Sequence, residues 1–245
     1  MFCIFRFFLL KRISGILSTP WEPCELRILS CPSPVLPTWI CSMPVRTCFF
    51  DMGNVLVHFS HDLMCRNLAT VSGLSEAETR RFLFTDQWQW LMERGERSEA
   101  EFCTELARRA GQQLDPALVC HAAADIFQLN TPIVPILQQL RDAGLRLILL
   151  SNTSITHLRF IEQHFRVLDL MHDRVTSFSV GSMKPDLRIF HAALEKADCA
   201  PEECFYTDDI EAYIHQARSL GIHSHPFTSV ERLDHELRSL GVLPA

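Results

Sequence analysis

No Cys-x-x-Cys pair occurs among the ten cysteines, and no cysteine pair stands beside a histidine pair at zinc-finger spacing. That excludes a finger or ribbon zinc site. Four cysteines, Cys3, Cys24, Cys31 and Cys41, precede the first core strand. The other six are scattered through apolar stretches, where reduced cysteine behaves as a small hydrophobe. The expectation is a reducing, cytoplasmic setting with no disulfide framework. An excess of positive charge is missing too: the formal net charge is -6, which argues against a nucleic-acid partner. A long apolar run is absent. Residues 1–10 are apolar, but Arg6 interrupts them and Lys11-Arg12 ends them, too short a stretch to cross a bilayer. A secretory signal would carry its charges first and its apolar stretch second, the reverse of this order. The eleven histidines show no metal spacing; His121, His157, His164 and His191 fall in helical runs and read as surface or packing residues.

What is present begins at residue 43. Residues 1–42 lack any helical or strand period, and their later part is rich in proline (Pro20, Pro23, Pro32, Pro34, Pro37). They read as an unstructured leader, either a short targeting segment or sequence upstream of a true start at Met43. The next informative stretch is Thr47-Cys48-Phe49-Phe50-Asp51-Met52-Gly53-Asn54-Val55-Leu56. An apolar, aromatic run ends on a carboxylate, with a glycine two residues on. This is the pattern of a buried strand that delivers one acid to the carboxyl edge of a sheet, where open α/β folds place their ligands. A strand-ending Asp making a turn gives the same local pattern.

From about residue 60 to about 135 the pattern is helical throughout. Ser75-x-x-Glu78 and Ser98-x-x-Glu101 are capping boxes, and Asp115-Pro116 and Thr131-Pro132 each place an N-cap before a proline. After that, short β-prone runs alternate with helices: Leu145 to Leu150, Arg174 to Ser179, Glu203 to Thr207 and Ile222 to His225 are the expected strands. The reading is an α/β fold, a Rossmann-like doubly wound parallel sheet with a helical cap domain inserted after the first strand. Its expected boundaries are 43–59 and 134–245 for the core and 60–133 for the cap.

Four strand ends or following loops then carry Asp51, Ser151-Asn152, Lys184-Pro185 and Asp208-Asp209. A parallel sheet brings them to one edge. Taken singly, each is commonplace: a helix cap, a surface loop, a turn. Taken together they form a phosphoryl-transfer inventory. It comprises a nucleophilic carboxylate, a hydroxyl with amides for equatorial oxygens, a cation, and acids for a hard metal ion.

On these residues the chain resembles the haloacid dehalogenase-like hydrolase superfamily, from about Arg46 to Leu240. The motifs are Phe50-Asp51-Met52-Gly53-Asn54-Val55, Leu150-Ser151-Asn152-Thr153, Lys184-Pro185-Asp186-Leu187-Arg188-Ile189-Phe190 and Phe205-Tyr206-Thr207-Asp208-Asp209. The closest resemblance is to small sugar-phosphate phosphatases of the glucose 1-phosphate type, which share Asp-x-Gly-Asn and the Glu-Arg-Gly-Glu stretch at Glu93 to Glu96. The resemblance implies that Asp51 is the nucleophile, and that Ser151, Asn152 and Lys184 bind the phosphoryl group. It also implies a Mg²⁺ ion held by Asp209, with Asp208 beside it, Asp51, and the carbonyl of Gly53. Trp88, Trp90, Glu93 and Arg94 are the expected substrate residues of the cap, with indole for a sugar ring and Arg for a second anion; packing is the other role open to the tryptophans. The partner is a small phosphorylated metabolite, with no nucleic acid and no membrane, and the protein is a monomer or homodimer.

One departure stands out. Most phosphatases of the superfamily carry a second Asp two residues after the nucleophile, which protonates the leaving group. Here that position is Gly53. His58, His61 or a cap residue are the candidates to supply the proton, and an Asp is expected to fit at position 53. The alternatives to a phosphatase are a catalytically weak ligand-binding or interaction protein, and a haloacid dehalogenase, which needs neither this Asp nor the metal acids.

Overall fold

The computed structural model describes residues 44–244. The expected leader, 1–42, lies outside the described residues. The strands are β1 (Thr47–Phe50), β2 (Val57–Phe59), β3 (Phe127–Leu129), β4 (Arg146–Ser151), β5 (Asp173–Thr176), β6 (Cys204–Asp208) and β7 (His223–Pro226). Between β2 and β3 run α1 (His61–Ser72), α2 (Glu76–Arg80), α3 (Trp88–Glu93), α4 (Glu99–Ala110) and α5 (Pro116–Ala124). The remaining helices are α6 (Val134–Asp142), α7 (Ile155–His164), α8 (Ser177–Val180), α9 (Leu187–Ala197), α10 (Glu211–Ser219) and α11 (Val230–Ser239).

Five strands form a parallel sheet in the order β5-β4-β1-β6-β7. The chain winds outward from β1 in one direction and, after β5, returns to the other side. This is the doubly wound arrangement, and β1 is its switch point. β1 is apolar at every position because both faces of the sheet are covered. Cys48 and Phe50 join Leu147, Leu149 and Phe205 beneath α6, α7 and α11. Phe49 joins Ile148, Leu150 and Tyr206 beneath α9 and α10. Each fully buried Phe of this layer contributes on the order of 1.5–3 kcal/mol. No helix among the described residues is long and apolar enough to cross a membrane.

The helices α1–α5 have a core of their own, with Met64, Leu68, Phe82, Leu106 and Val119 at its centre. Their ends follow the sequence signals. Ser75 and Ser98 close reciprocal capping boxes with Glu78 and Glu101, and Asp115 caps α5. Three expectations need correction. The stretch 60–135 is not helical throughout: β3 pairs antiparallel with β2, so the helical block stands on a two-stranded stalk. Strands of three residues joined across some seventy positions are too short to show a period and too far apart to show a hairpin. The strand expected from Arg174 to Ser179 stops at Thr176 and gives way to α8. Thr131 is not a cap; it lies inside a 3₁₀ turn, and neighbouring Asn130 donates its side-chain amide to the Val55 carbonyl at 2.7 Å.

Candidate active site

The register of the sheet brings the site together. Phe50 pairs with Leu149 on one side and Thr207 on the other, so Asp51, Leu150 and Asp208 follow at one level. The Asp51 amide donates to the Thr207 carbonyl at 3.1 Å, which fixes the acid as the chain leaves β1. The chain then turns tightly, with Leu56 and Val57 amides both donating to the Met52 carbonyl. Asn54 takes a left-handed backbone with φ 56, a conformation Asn tolerates better than most residues. Its side-chain amide donates to Asp209 at 2.8 Å.

Lys184 is the centre of the polar cluster. The residue is buried, and its ammonium donates to Asp51 at 2.7 Å, to Asp208 at 2.5 Å and to the Leu150 carbonyl at 3.0 Å. All three of its protons are therefore placed. Burial alone would push this ammonium down; the two carboxylates more than offset it and hold it above the ordinary lysine value. Asp51 is pushed up by burial, against the pull of Lys184. Asp208 also accepts from the Tyr206 hydroxyl and, at 2.8 Å, from the Ile210 amide. Asp209 is pushed up by burial, with the Asn54 amide opposing it.

Asp51, Asp208 and Asp209 offer carboxylate oxygens within 4.8 Å of one another, the hard donor set that suits a divalent cation with oxygen ligands. Within that set Asp208 is the most committed, to Lys184, Tyr206 and Ile210. The uncommitted oxygens belong to Asp51 and Asp209. Gly53 lies on the wall of the cavity beside them.

The other expected residues divide. Asn152 accepts from the Lys184 amide at 2.7 Å and donates to the Lys184 carbonyl at 3.1 Å, so its side chain clamps the lysine's backbone. Ser151 is buried at the end of β4, and its neighbours Asn152 and Thr153 line the cavity. That cavity, about 190 Å³, lies between the sheet edge and the helical block. Trp90 and Glu93 line it; Trp88 and Arg94 do not. Trp88 stacks on Phe82 within the helical core, and Arg94 pairs with Glu96. Of the histidines read as surface or packing residues, His157 is buried on the cavity wall, where burial pushes it down to about 4 and its Nε2 meets the Ala123 carbonyl at 3.2 Å. His58 is exposed on β2 and does not line the cavity, whereas His61 does. Two further residues, outside the sequence motifs, line the cavity: Tyr213 on α10, one turn beyond Asp209, and Gln89 on α3, one turn before Glu93. Helical spacing from a motif residue is the signal that finds them.

Position 53 is not open. A Cβ on Gly53 would lie 2.8 Å from the Cε1 of Phe59. The backbone there is outside the left-handed region, so the obstacle is the ring. Phe59 packs between His61 and Phe127. Gly53→Asp is therefore expected to destabilise the protein by about 1–3 kcal/mol, as overpacking does. In a Phe59→Ala background the same change is expected to cost little. Thermal denaturation of the four proteins in this cycle measures the coupling; equal costs in both backgrounds would show that the ring swings clear freely.

A family model of haloacid dehalogenase-like hydrolases matches residues 45–220. The chain is 26% identical over 205 residues to drimenol cyclase drtB of Aspergillus calidoustus, a match covering 82% of this chain and 37% of that protein. It is 29% identical over 92 residues to phosphatase MT3486 of Mycobacterium tuberculosis, covering 37% of this chain and 42% of that protein. Each match thus spans less than half of the relative's length. Among solved structures, the HAD family enzyme bt-2542 of Bacteroides thetaiotaomicron superposes with a TM-score of 0.70 at 23% identity, covering 80% of this chain and 99% of that one. Another structure of that enzyme is a complex with magnesium and inorganic phosphate. The family match takes in well over half of the chain, which belongs to the haloacid dehalogenase-like hydrolases.

Proposed function

We propose that the protein is a Mg²⁺-dependent phosphomonoester hydrolase that acts on a small phosphorylated metabolite, a sugar phosphate, through an aspartyl-phosphate. The observation that carries this reading is the buried Asp51–Lys184–Asp208 cluster at the sheet's switch point, with Asp209 beside it and a cavity above. Asp51 is held by its backbone and by Lys184, with one oxygen left to attack phosphorus. Lys184 offsets the charge that builds on nucleophile and phosphoryl oxygens; Asp208 and Asn152 hold Lys184 in place. Asp51, Asp209 and the Gly53 carbonyl would hold the Mg²⁺, which when bound supplies positive charge next to the phosphate. Attack by Asp51 forms the Asp51–phosphorus bond as the ester oxygen departs. Water then cleaves the acyl phosphate and returns the free carboxylate. The helical block acts as the cap in this reading. Trp90 offers an apolar face to a ring, and Gln89 stands beside it on the cavity wall.

A phosphate-release assay over a panel of sugar phosphates, with and without Mg²⁺, tests the reading. Asp209→Ala is expected to raise the Mg²⁺ concentration needed for half-maximal rate by at least tenfold, and Asp208→Ala to act chiefly through misplacement of Lys184. Full wild-type activity in excess chelator would overturn the metal assignment. A second reading, a ligand-binding protein with weak turnover, is favoured by the ring of Phe59 where the family's usual acid would stand. No release from any ester by protein that still binds phosphate would establish it.

A further inference from the structure

We infer that Glu93, presented by the helical block, is the proton donor for the leaving group and so replaces the acid missing at Gly53. The inference rests on the phosphatase reading and extends it. In-line displacement puts the departing oxygen on the far side of phosphorus from Asp51. In this structure that side faces the helical block, so the donor must come from the groups that look down from it or stand around the cavity.

The titratable residues of the cavity wall are Asp51, His61, Glu93, His157, Lys184, Asp209 and Tyr213. Asp51, Lys184 and Asp209 are already engaged with nucleophile, phosphate and metal. His157 is held neutral by burial, with Nε2 given to the Ala123 carbonyl. His61 is also pushed down by burial and by Arg80, and it lies tilted between the rings of Phe59 and Phe84. A neutral imidazole is a poor acid. The Tyr213 phenol is pushed up by burial and accepts from the Asn152 amide. Glu93 is left.

Its setting suits the task. The residue is half-buried on the cavity wall, and burial holds the carboxyl above the ordinary glutamate value against the Gln89 amide, Arg94 and Lys184. It therefore carries a proton to a pH where a surface glutamate does not. Glu93 lines the same cavity as Asp51, Lys184 and Tyr213. The Gln89 amide donates to one of its oxygens at 2.7 Å, and steadies the carboxylate left after proton transfer.

The Glu93-Arg94-Gly95-Glu96 stretch also gains a physical meaning. The Ser177 hydroxyl, at the start of α8, lies 2.5 Å from the Glu93 carbonyl and accepts from the Thr153 amide at 3.0 Å. Gly95 has φ +68, and a Cβ there would meet the Phe178 carbonyl oxygen at 2.5 Å. The glycine lets the end of α3 sit directly on α8, next to the Asn152–Thr153 loop. That contact fixes the height of Glu93 above the phosphate. In the first step the Asp51–phosphorus bond forms, the bond to the ester oxygen breaks, and the Glu93 proton passes to that oxygen. In the second, Glu93 takes a proton from the attacking water as the Asp51–phosphorus bond breaks, which restores both carboxyl groups.

The test compares Glu93→Gln with wild type on a series of esters of rising leaving-group pKa, from p-nitrophenyl phosphate to a primary sugar phosphate. Glu93→Gln keeps the size of the side chain and its contact with Gln89. The expected result is a loss in kcat/KM, which reads only the steps up to phosphoryl transfer to Asp51, of about 10²-fold or more on the sugar phosphate, with kcat/KM on p-nitrophenyl phosphate within a few-fold of wild type. An equal loss on both esters would assign Glu93 to packing or closure, and a rise in KM alone would assign it to substrate binding; either overturns the inference. If Glu93→Gln does not fold, Glu93→Asp takes its place on the same series, and in the wild type a donor makes kcat/KM nearly insensitive to leaving-group pKa, so that a steep fall overturns the inference. Wild-type protein inert toward every ester would bring down the phosphatase reading itself, and this inference with it.

Discussion

Asp51→Asn is expected to leave a folded protein that releases phosphate at less than about one per cent of the wild-type rate, because the amide does not attack phosphorus and removal of a nucleophile typically costs several orders of magnitude. The substitution is close to isosteric. The Asn side-chain oxygen can still accept from Lys184, and Lys184 keeps its bond to Asp208. No buried cation is orphaned, so the melting temperature is expected to stay within a few degrees of wild type. The two readouts together are diagnostic. A variant that melts normally and retains more than a few per cent of turnover would show that water attacks phosphorus directly. Acid quench of the wild type during turnover with labelled ester should trap label on the protein, and Asp51→Asn should trap none.

The fold and the lower half of the site were legible because both rest on strong local signals. β1 reads as a buried strand because four consecutive apolar or β-prone residues end at Asp51, and the capping boxes at Ser75 and Ser98 mark their helices directly. The parallel sheet then forces Asp51, Asn152, Lys184 and Asp208 together without knowledge of any contact. The upper half was harder to read. Trp88 and Trp90 are two residues apart on one short helix, so they point to different sides; one packs inward on Phe82 and the other lines the cavity. Composition does not tell them apart, because the helix phase depends on where α3 starts, and Gln87 there has a left-handed backbone and no side-chain cap. Arg94 donates to Glu96 two residues on, a pairing that no periodic pattern marks. Phe59 was invisible for a different reason. Its ring meets position 53 only through the tight turn after β1, whose geometry follows from hydrogen bonds to Met52 and not from any residue pattern.

Lys184→Met is expected to remove activity and to cost about 3–5 kcal/mol of stability, the range for breaking a buried ion pair from one side. For a chain of this size that is a fall in melting temperature of roughly 6–20 °C. The reason is the pair of acids left behind. Asp208 is 0% exposed and Asp51 is 7% exposed, and Lys184 is the cation bonded to both. Burial already raises Asp51 with Lys184 present, and loss of the ammonium removes the largest opposing effect. The folded variant therefore binds more protons than its unfolded chain between the ordinary carboxylate range and the raised value. Stability lost in this way is restored as pH falls through the raised value, and is fully lost above it. The deficit against wild type should accordingly be smaller at pH 5 than at pH 8. Adding Asp208→Asn to Lys184→Met should recover part of the melting temperature, because one of the stranded charges is gone, and should recover no activity. Melting curves of the three proteins at both pH values measure this. A deficit that does not change with pH would mean that the lost packing of the lysine stem, not the stranded carboxylates, sets the cost. A Lys184→Met protein as stable as wild type at pH 8 would show that the cluster is no part of what holds the sheet edge together.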